Sequence, residues 1–302
     1  MRTPPQQRRL ADGRLHLNDG PIDLIIEAFG ETSAVEETYS AAWGRFATIL
    51  DELCAELPLL RADPCGAEAP QGSVARRMAA AVAPFRARRF LTPMAAVAGA
   101  VADEVLEVMT AGRELARAYV NDGGDIALHL APGETFSIGM VDRPDLPSLV
   151  GRATIGGGDR VRGVATSGWR GRSFSLGVAD AVTVLATSAS LADAAATLIA
   201  NAVDLPGHTA IRRAPAYDLD PQSDLGGRRV TVAVGPLTPG ETELALAAGA
   251  AEAELWRDLG LIEAAALRLG ERTRLVGAAA SRNLGRSPAV IRNEERARHA
   301  FG

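Results

Sequence analysis

Residues 115–130 read LARAYVNDGGDIALHL, and they decide how the chain folds. Two apolar-rich runs, Leu115–Val120 and Ile126–Leu130, flank Asn121-Asp122-Gly123-Gly124. Asn, Asp and Gly tolerate the positive φ of a tight hairpin turn, so the segment predicts two antiparallel strands. Upstream, Arg14–Leu17 and Ile22–Ala28 flank Asn18-Asp19-Gly20-Pro21 in the same manner. Downstream, Phe136–Val141, Ala153–Ile155, Val161–Thr166, Ala181–Ala186 and Val230–Val234 read as further short strands.

Helical patterns surround this meander. Ser33 begins one that runs to about Leu57, with Leu50, Leu53 and Leu57 on one face and Pro58 as its stop. A second covers Ser73 to Pro84. Thr92-Pro93 is a helix start, an N-cap followed by Pro, and Met94, Val97, Val101, Val105 and Met109 form its apolar stripe. Ser190–Val203 and Thr238–Leu269 complete the set. Helices first, then a run of strands, then strand and helix again predict an α+β fold with a mainly antiparallel sheet packed with helices. A single domain over residues 1–302 is expected, with flexible arms at 1–13 and about 278–302.

Composition narrows the function. The net charge is −5, so no global basic field suits nucleic acid. The chain contains no lysine, which removes Schiff-base and P-loop lysine chemistry. Two cysteines, Cys54 and Cys65, make neither a disulfide framework nor a metal site. The N-terminus lacks a signal-peptide core, and the apolar stretch 79–102 is broken by Pro84, Arg residues and Pro93. These features predict a cytoplasmic protein with no membrane partner. The Ala/Leu-rich helix from Thr238 suits either the core or the interface of a homodimer.

Chemistry concentrates downstream of the central turn. Twelve glycines lie from Gly123 to Gly177, together with Arg143, Arg152, Arg160, Arg162, Arg170 and Arg172. Glycine admits close backbone approach, and arginine offers a planar fork to phosphate or carboxylate. Hairpin turns and a solvated strand face explain the same residues equally well. Asp193 and Thr197 are four residues apart and share one helix face. A carboxylate and a hydroxyl there suit Mg²⁺ beside a phosphate at a helix N-terminus. Ser190-x-x-Asp193 also fits a capping box, with Thr197 bonding back to a carbonyl. His16, His129, His208 and His299 have no partners at ligand spacing and read as structural.

Four segments occur in a telling order: Asn121-Asp122-Gly123-Gly124-Asp125, a strand bearing Gly139, Val164-Ala165-Thr166-Ser167-Gly168-Trp169-Arg170, and Leu191-Ala192-Asp193-Ala194-Ala195-Ala196-Thr197. Over residues 115–203 the chain resembles the ApbE-type FAD:protein FMN transferase superfamily. A closer resemblance is to the uncharacterised cytoplasmic branch of that superfamily, found in methanogens and many bacteria. It is carried by Leu91–Asp103, Val120–Ile126 and Ser175–Val184. The resemblance implies an ApbE-like fold and an anionic ligand, a nucleotide or FAD, held by Asp122, Gly123, Gly124, Thr166, Ser167, Gly168 and Arg170. It implies Mg²⁺ at Asp193 and Thr197. The transferases' His-x-x-Asp-Pro-x-Thr-Gly segment is missing, and in its place, residues 173–181, Asp180 is the one acid available as a general base. The expectation is therefore a ligand-binding protein accessory to sulfur assimilation or cofactor metabolism. An active FMN transferase or FAD-cleaving enzyme and an assembly protein with no small-molecule site are the alternatives.

Overall fold

The structure is a computed structural model that describes residues 3–62, 69–141 and 149–277. The chain opens with β1 (Gln6–Arg9), β2 (Leu15–Asp19) and β3 (Ile22–Gly30). Helices α1 (Thr32–Ala55), α2 (Leu57–Arg61) and α3 (Ser73–Arg86) follow. A 3₁₀ turn (Pro93–Ala96) then leads into α4 (Val97–Thr110). Next come β4 (Leu115–Asp122), β5 (Asp125–Leu130), β6 (Thr135–Val141), β7 (Leu149–Gly156), β8 (Gly163–Ser167) and β9 (Ala181–Ala186). The remainder is α5 (Ala189–Ala202), β10 (Ile211–Pro215), α6 (Ala216–Leu219), β11 (Arg229–Val234), α7 (Pro239–Asp258), β12 (Ala264–Leu269) and β13 (Arg272–Val276).

Nine strands form one sheet in the order β1-β2-β3-β4-β5-β8-β9-β12-β13, with every neighbouring pair antiparallel. The fold is thus α+β with an antiparallel sheet, as the hairpin turns predict. Along β3 the residues Ile22, Leu24, Ile26 and Ala28 are buried and alternate with half-exposed ones, so one face lies on the core. Helices α1 and α4 cover that face over β2–β5, around Phe46, Ile49, Val105 and Met109. Helices α5 and α7 continue the layer over β8, β9 and β12, where Trp256 meets Phe85 edge-on at 4.9 Å. The β6–β7 hairpin packs near the other face, with Ile155 against Leu128, Val164 and Leu185. Residues of β9 are buried throughout because both faces are covered.

Several sequence expectations need correction. The helix expected over Thr238–Leu269 ends at Asp258, and Ala264–Leu269 and Arg272–Val276 are strands. Gly260 takes φ +74° and stops the helix, and β12 then pairs with β9. Pairing and burial override alanine's helix preference there. The arm expected at 1–13 contains the exposed edge strand β1, paired with β2. The first helix starts at Thr32 after Glu31, and Pro58 lies in the first turn of α2 instead of ending anything. Pro84 sits inside α3, which continues to Arg86. Pro93 opens a 3₁₀ turn, and the α-helix proper begins at Val97. The arm at 278–302, Cys65, Arg143 and His299 lie outside the described residues. No described helix is long and apolar enough to cross a membrane.

Candidate functional site

The β4–β5 turn closes through Gly123 (φ +61°) and Gly124 (φ +116°), with the Asn121 side-chain oxygen accepting from the Gly124 N–H at 2.8 Å. Asp122 and Asp125 are partners across the hairpin, so their side chains leave the same face. Asp122 is buried and accepts one long hydrogen bond, 3.4 Å, from the Asp23 N–H. Asp125 accepts from the Thr166 N–H at 3.1 Å. That bond ties β8 to the turn just where the β5–β8 ladder, Ile126↔Val164 and Ala127↔Gly163, has run out.

The third carboxylate arrives on α5. Ser188 is the N-cap of this helix and accepts from the Leu191 N–H at 3.2 Å. The orphan N–H groups of Ala189 and Ser190 bond to Asp103 of α4, at 3.0 and 2.9 Å, and the Ser190 hydroxyl donates to it at 2.7 Å. Asp193 is therefore not spent on a capping box. It reaches the other way and accepts the Gly99 N–H of α4 at 3.1 Å. A Cβ at Gly99 would collide with the backbone of Ala189 and Ser190, so only glycine lets the two helix starts meet.

These carboxylates converge on one cleft of about 510 Å³. Thr166, Ser167, Gly168, Gly171 and Ser173 line one side, and Asp193, Thr197 and Ala98 the other. The guanidinium of Arg172 lies against Gly123, where a Cβ would overlap it. Burial pushes Asp122 up to about 7, only partly offset by Asp23 N–H and Arg172. Asp125 is raised by its enclosure and by the charge of Asp122. Asp193 is raised well above the ordinary carboxylate range, by enclosure first and then by the charges of Asp125, Asp122 and Asp103. Asp125 and Asp193 still touch solvent through the cleft itself, which is why each is only half-buried by area.

The structure thus brings together Asp122, Gly123, Gly124, Thr166, Ser167, Gly168, Asp193 and Thr197 from the sequence expectation. It moves two residues out. Arg170 gives its Nε to Asp180 at 2.7 Å and stacks over Trp169 at 4.4 Å, so its guanidinium is turned away from the cleft. Asp180 also accepts from Trp169 Nε1 at 3.3 Å and from the Gly270 N–H at 2.7 Å. It joins the 168–171 turn to the β12–β13 turn and does not line the cleft, so its geometry is that of a fastener. The arginine in the cleft is Arg172, which pairs with no carboxylate within 4.0 Å among the described residues. Asp125, Gly99 and Asp103 were not singled out from sequence, and Arg172 was named only among the six arginines of the glycine-rich stretch. Asp125 could have been, because a two-residue hairpin places the fourth residue beside the first.

Among the described residues no three His, Cys, Asp or Glu side chains stand close enough to hold a metal ion alone. His16 bonds Asp23, His129 the Leu115 carbonyl and His208 Glu241, at 2.7, 3.2 and 2.9 Å. These three histidines are structural. The cleft can instead offer carboxylate and hydroxyl oxygens to a hard cation whose shell a ligand completes.

Comparison with known proteins bears on this architecture. A UPF0280 protein of Methanopyrus kandleri is 38% identical over 155 residues, 50% of this chain and 58% of the relative. One from Methanothermobacter thermautotrophicus is 40% identical over 117 residues, 38% of this chain and 43% of the relative. The chain spans about half the length of the curated relatives it matches. Among solved structures, the apo flavinyl transferase ApbE of Pseudomonas stutzeri overlaps 94% of this chain and 97% of its own, at 14% identity and a TM-score of 0.39. The ApbE protein of Thermotoga maritima overlaps 67% and 88%, at 14% identity and a TM-score of 0.37. The family model described as AbpE bacteria matches residues 7–275, from β1 into β13 and across every element that builds the cleft. The chain belongs to the AbpE bacteria family.

Proposed function

We propose that the cleft between the β4–β5 turn and the start of α5 binds an anionic small molecule together with a divalent cation, with Mg²⁺ the first candidate. One observation carries this reading: three under-partnered carboxylates, Asp122, Asp125 and Asp193, face one arginine, Arg172, across a glycine-lined cleft. Each carboxylate takes a single backbone N–H and holds further acceptor capacity. Packing acids against one another in a half-closed cleft raises their pKa values and costs stability unless a cation neutralises them. A lone anion entering this acidic cleft would be repelled. An anion brought with Mg²⁺ would not be, and Arg172 would then contact its free oxygens. Mg²⁺ commonly uses one or two protein carboxylates plus substrate phosphate oxygens. That habit suits a site without three clustered ligands.

In this reading Asp193, with Thr197 one turn along on the same face, holds the cation, and the Asp122/Asp125 pair lines the cleft beside it. Bound there, the cation would supply a positive centre for phosphate oxygens. The resemblance to ApbE-like proteins suggests a nucleotide or flavin-like ligand, of which the cleft itself argues for the phosphate portion alone, and a place beside sulfur assimilation or cofactor metabolism. Asp180 has no free face toward the cleft, so no general-base step is assigned to it.

A thermal-shift titration tests the reading. Mg²⁺ with ADP or pyrophosphate should raise the melting temperature more than either component alone, by about 2–3 kcal/mol of stabilisation at a hundredfold excess over Kd. Asp193→Ala should remove the synergy while the protein stays folded. A shift that survives in both Asp193→Ala and Asp122→Asn would place binding elsewhere and end the proposal.

A further inference from the structure

We infer that the ligand of this cleft is a polar, non-aromatic phosphate ester, recognised without ring stacking. This rests on the reading of the cleft as a cation-assisted anion site, and it concerns the rest of the molecule attached to the anion.

The lining is unusual for a ring-binding site. Ligand pockets are mostly hydrophobic and aromatic, with a few placed polar groups. Here polar side chains outnumber apolar ones. Among the described lining residues, Ala98 and Ile126 are the only apolar side chains besides glycine, and none is aromatic. Hydroxyls of Thr166, Ser167, Ser173 and Thr197 and the amide of Asn121 share the walls with the three carboxylates and Arg172. Laying a flat apolar ring on such walls would strip water from groups that the ring cannot hydrogen-bond. A polyhydroxylated ligand replaces that water bond for bond.

The aromatic side chains near the cleft are already engaged. Trp169 sits between two lining glycines in sequence, yet its Nε1 donates to Asp180 and Arg170 covers its face at 4.4 Å. Tyr119 of β4 and Phe136 of β6 pack edge-on against each other at 5.9 Å, and Phe136 against Phe29 at 6.3 Å. Arg117 caps both phenyl rings, at 4.2 and 5.3 Å. Residues 142–148, outside the described set, contain no aromatic residue either. Among the described residues a nucleobase or flavin therefore finds no partner plane, although stacking on an aromatic side chain ordinarily raises affinity by about 5- to 150-fold per base.

Calorimetric titration of the full chain in Mg²⁺ buffer decides this. The probes are ribose 5-phosphate, AMP, FMN and FAD. Ribose 5-phosphate should bind within about threefold of AMP and FMN, because the ring adds nothing. Asp193→Ala should weaken all of them by at least about tenfold. If FMN or FAD binds more than about tenfold tighter than ribose 5-phosphate, and that binding still needs Mg²⁺ and Asp193, the inference is overturned while the cation-assisted site stands. If none of the four binds in Mg²⁺, the site reading fails and takes the inference with it.

Discussion

Two groups of enclosed acids in this molecule behave in opposite ways. On the α1–α3–α4 side, Glu104 is buried, yet its carboxylate is saturated. Oε1 accepts from Arg45 Nε at 2.8 Å and from Ser73 Oγ at 2.6 Å, and Oε2 accepts from Arg77 Nε at 2.8 Å. Burial alone would raise its pKa, but Ser73, Arg77 and Arg45 together hold it down to about 2. In the cleft, Asp122, Asp125 and Asp193 each take one backbone N–H, and all are raised. Enclosure is common to both groups, and partners are not. Where the protein has supplied every hydrogen bond, the acid holds helices together. Where it has left oxygens over, something outside the chain can be held.

The largest expected effect is on the saturated side. Glu104→Ala leaves Arg45 and Arg77 without their central partner and should cost about 3 kcal/mol of stability in urea unfolding. A loss below about 1 kcal/mol would make the network incidental and dissolve the contrast. Next comes the helix crossing that holds Asp193 in place. Gly99→Ala overpacks α4 against α5 and should cost about 1–3 kcal/mol. Gly44→Ala, inside α1 with open space around it, should be neutral or gain up to about 1 kcal/mol.

Smaller effects sharpen the cleft side. In chelator at pH 8, Asp122→Asn should raise stability by about 1 kcal/mol, since it removes a charge the fold keeps against its preference. The gain should vanish near pH 5 and reverse in Mg²⁺ with a phosphate ligand. The wild-type pH dependence follows with its sign. Acids whose pKa is raised on folding bind more protons folded than unfolded between their ordinary range near 4 and about 7. Their contribution to stability is therefore lost as pH rises through that window. Glu104, held low, contributes above its ordinary range near 4.5 and loses that contribution as pH falls toward about 2. Chelated protein should thus lose stability between pH 5 and 8, and Mg²⁺ should flatten the decline. A flat profile without metal would contradict the raised carboxylates. The smallest effect belongs to the exposed trio Glu243, Arg272 and Arg274, where Glu243→Ala should stay within about 0.5 kcal/mol.

Much of this was readable from residues alone, and the exceptions have causes. The hairpin at 121–124 was legible because Asn and Gly announce a turn chemically. It carries Asp122, Gly123 and Gly124 of the candidate site. Strand β1 was not legible, because Gln6–Arg9 is an exposed edge with no apolar alternation to detect. Strands β12 and β13 were hidden because their Ala and Leu residues continue the composition of α7, and only pairing with β9 settles them as strands. Arg172 was passed over for Arg170 because the irregular 168–173 turn has no fixed period. Which of two nearby arginines faces the cleft depends on Asp180 and Trp169, which capture the other. Asp193 and Thr197 were legible as one helix face, but the contact from Asp193 to Gly99 spans 94 positions and leaves no local trace.

That contact and its counterpart, Asp103 on the first turn of α5, make a lock whose halves sit far apart in the chain. Recombination between relatives would split it wherever a crossover falls between residues 103 and 189. A chimera carrying α4 from one parent and α5 from another keeps the lock only where the parents supply Asp103 and Gly99 on the one segment and Asp193 on the other. Segments 92–103 and 188–197 are thus a single heritable unit. A shuffled library should keep its folded members among those that exchange both segments or neither.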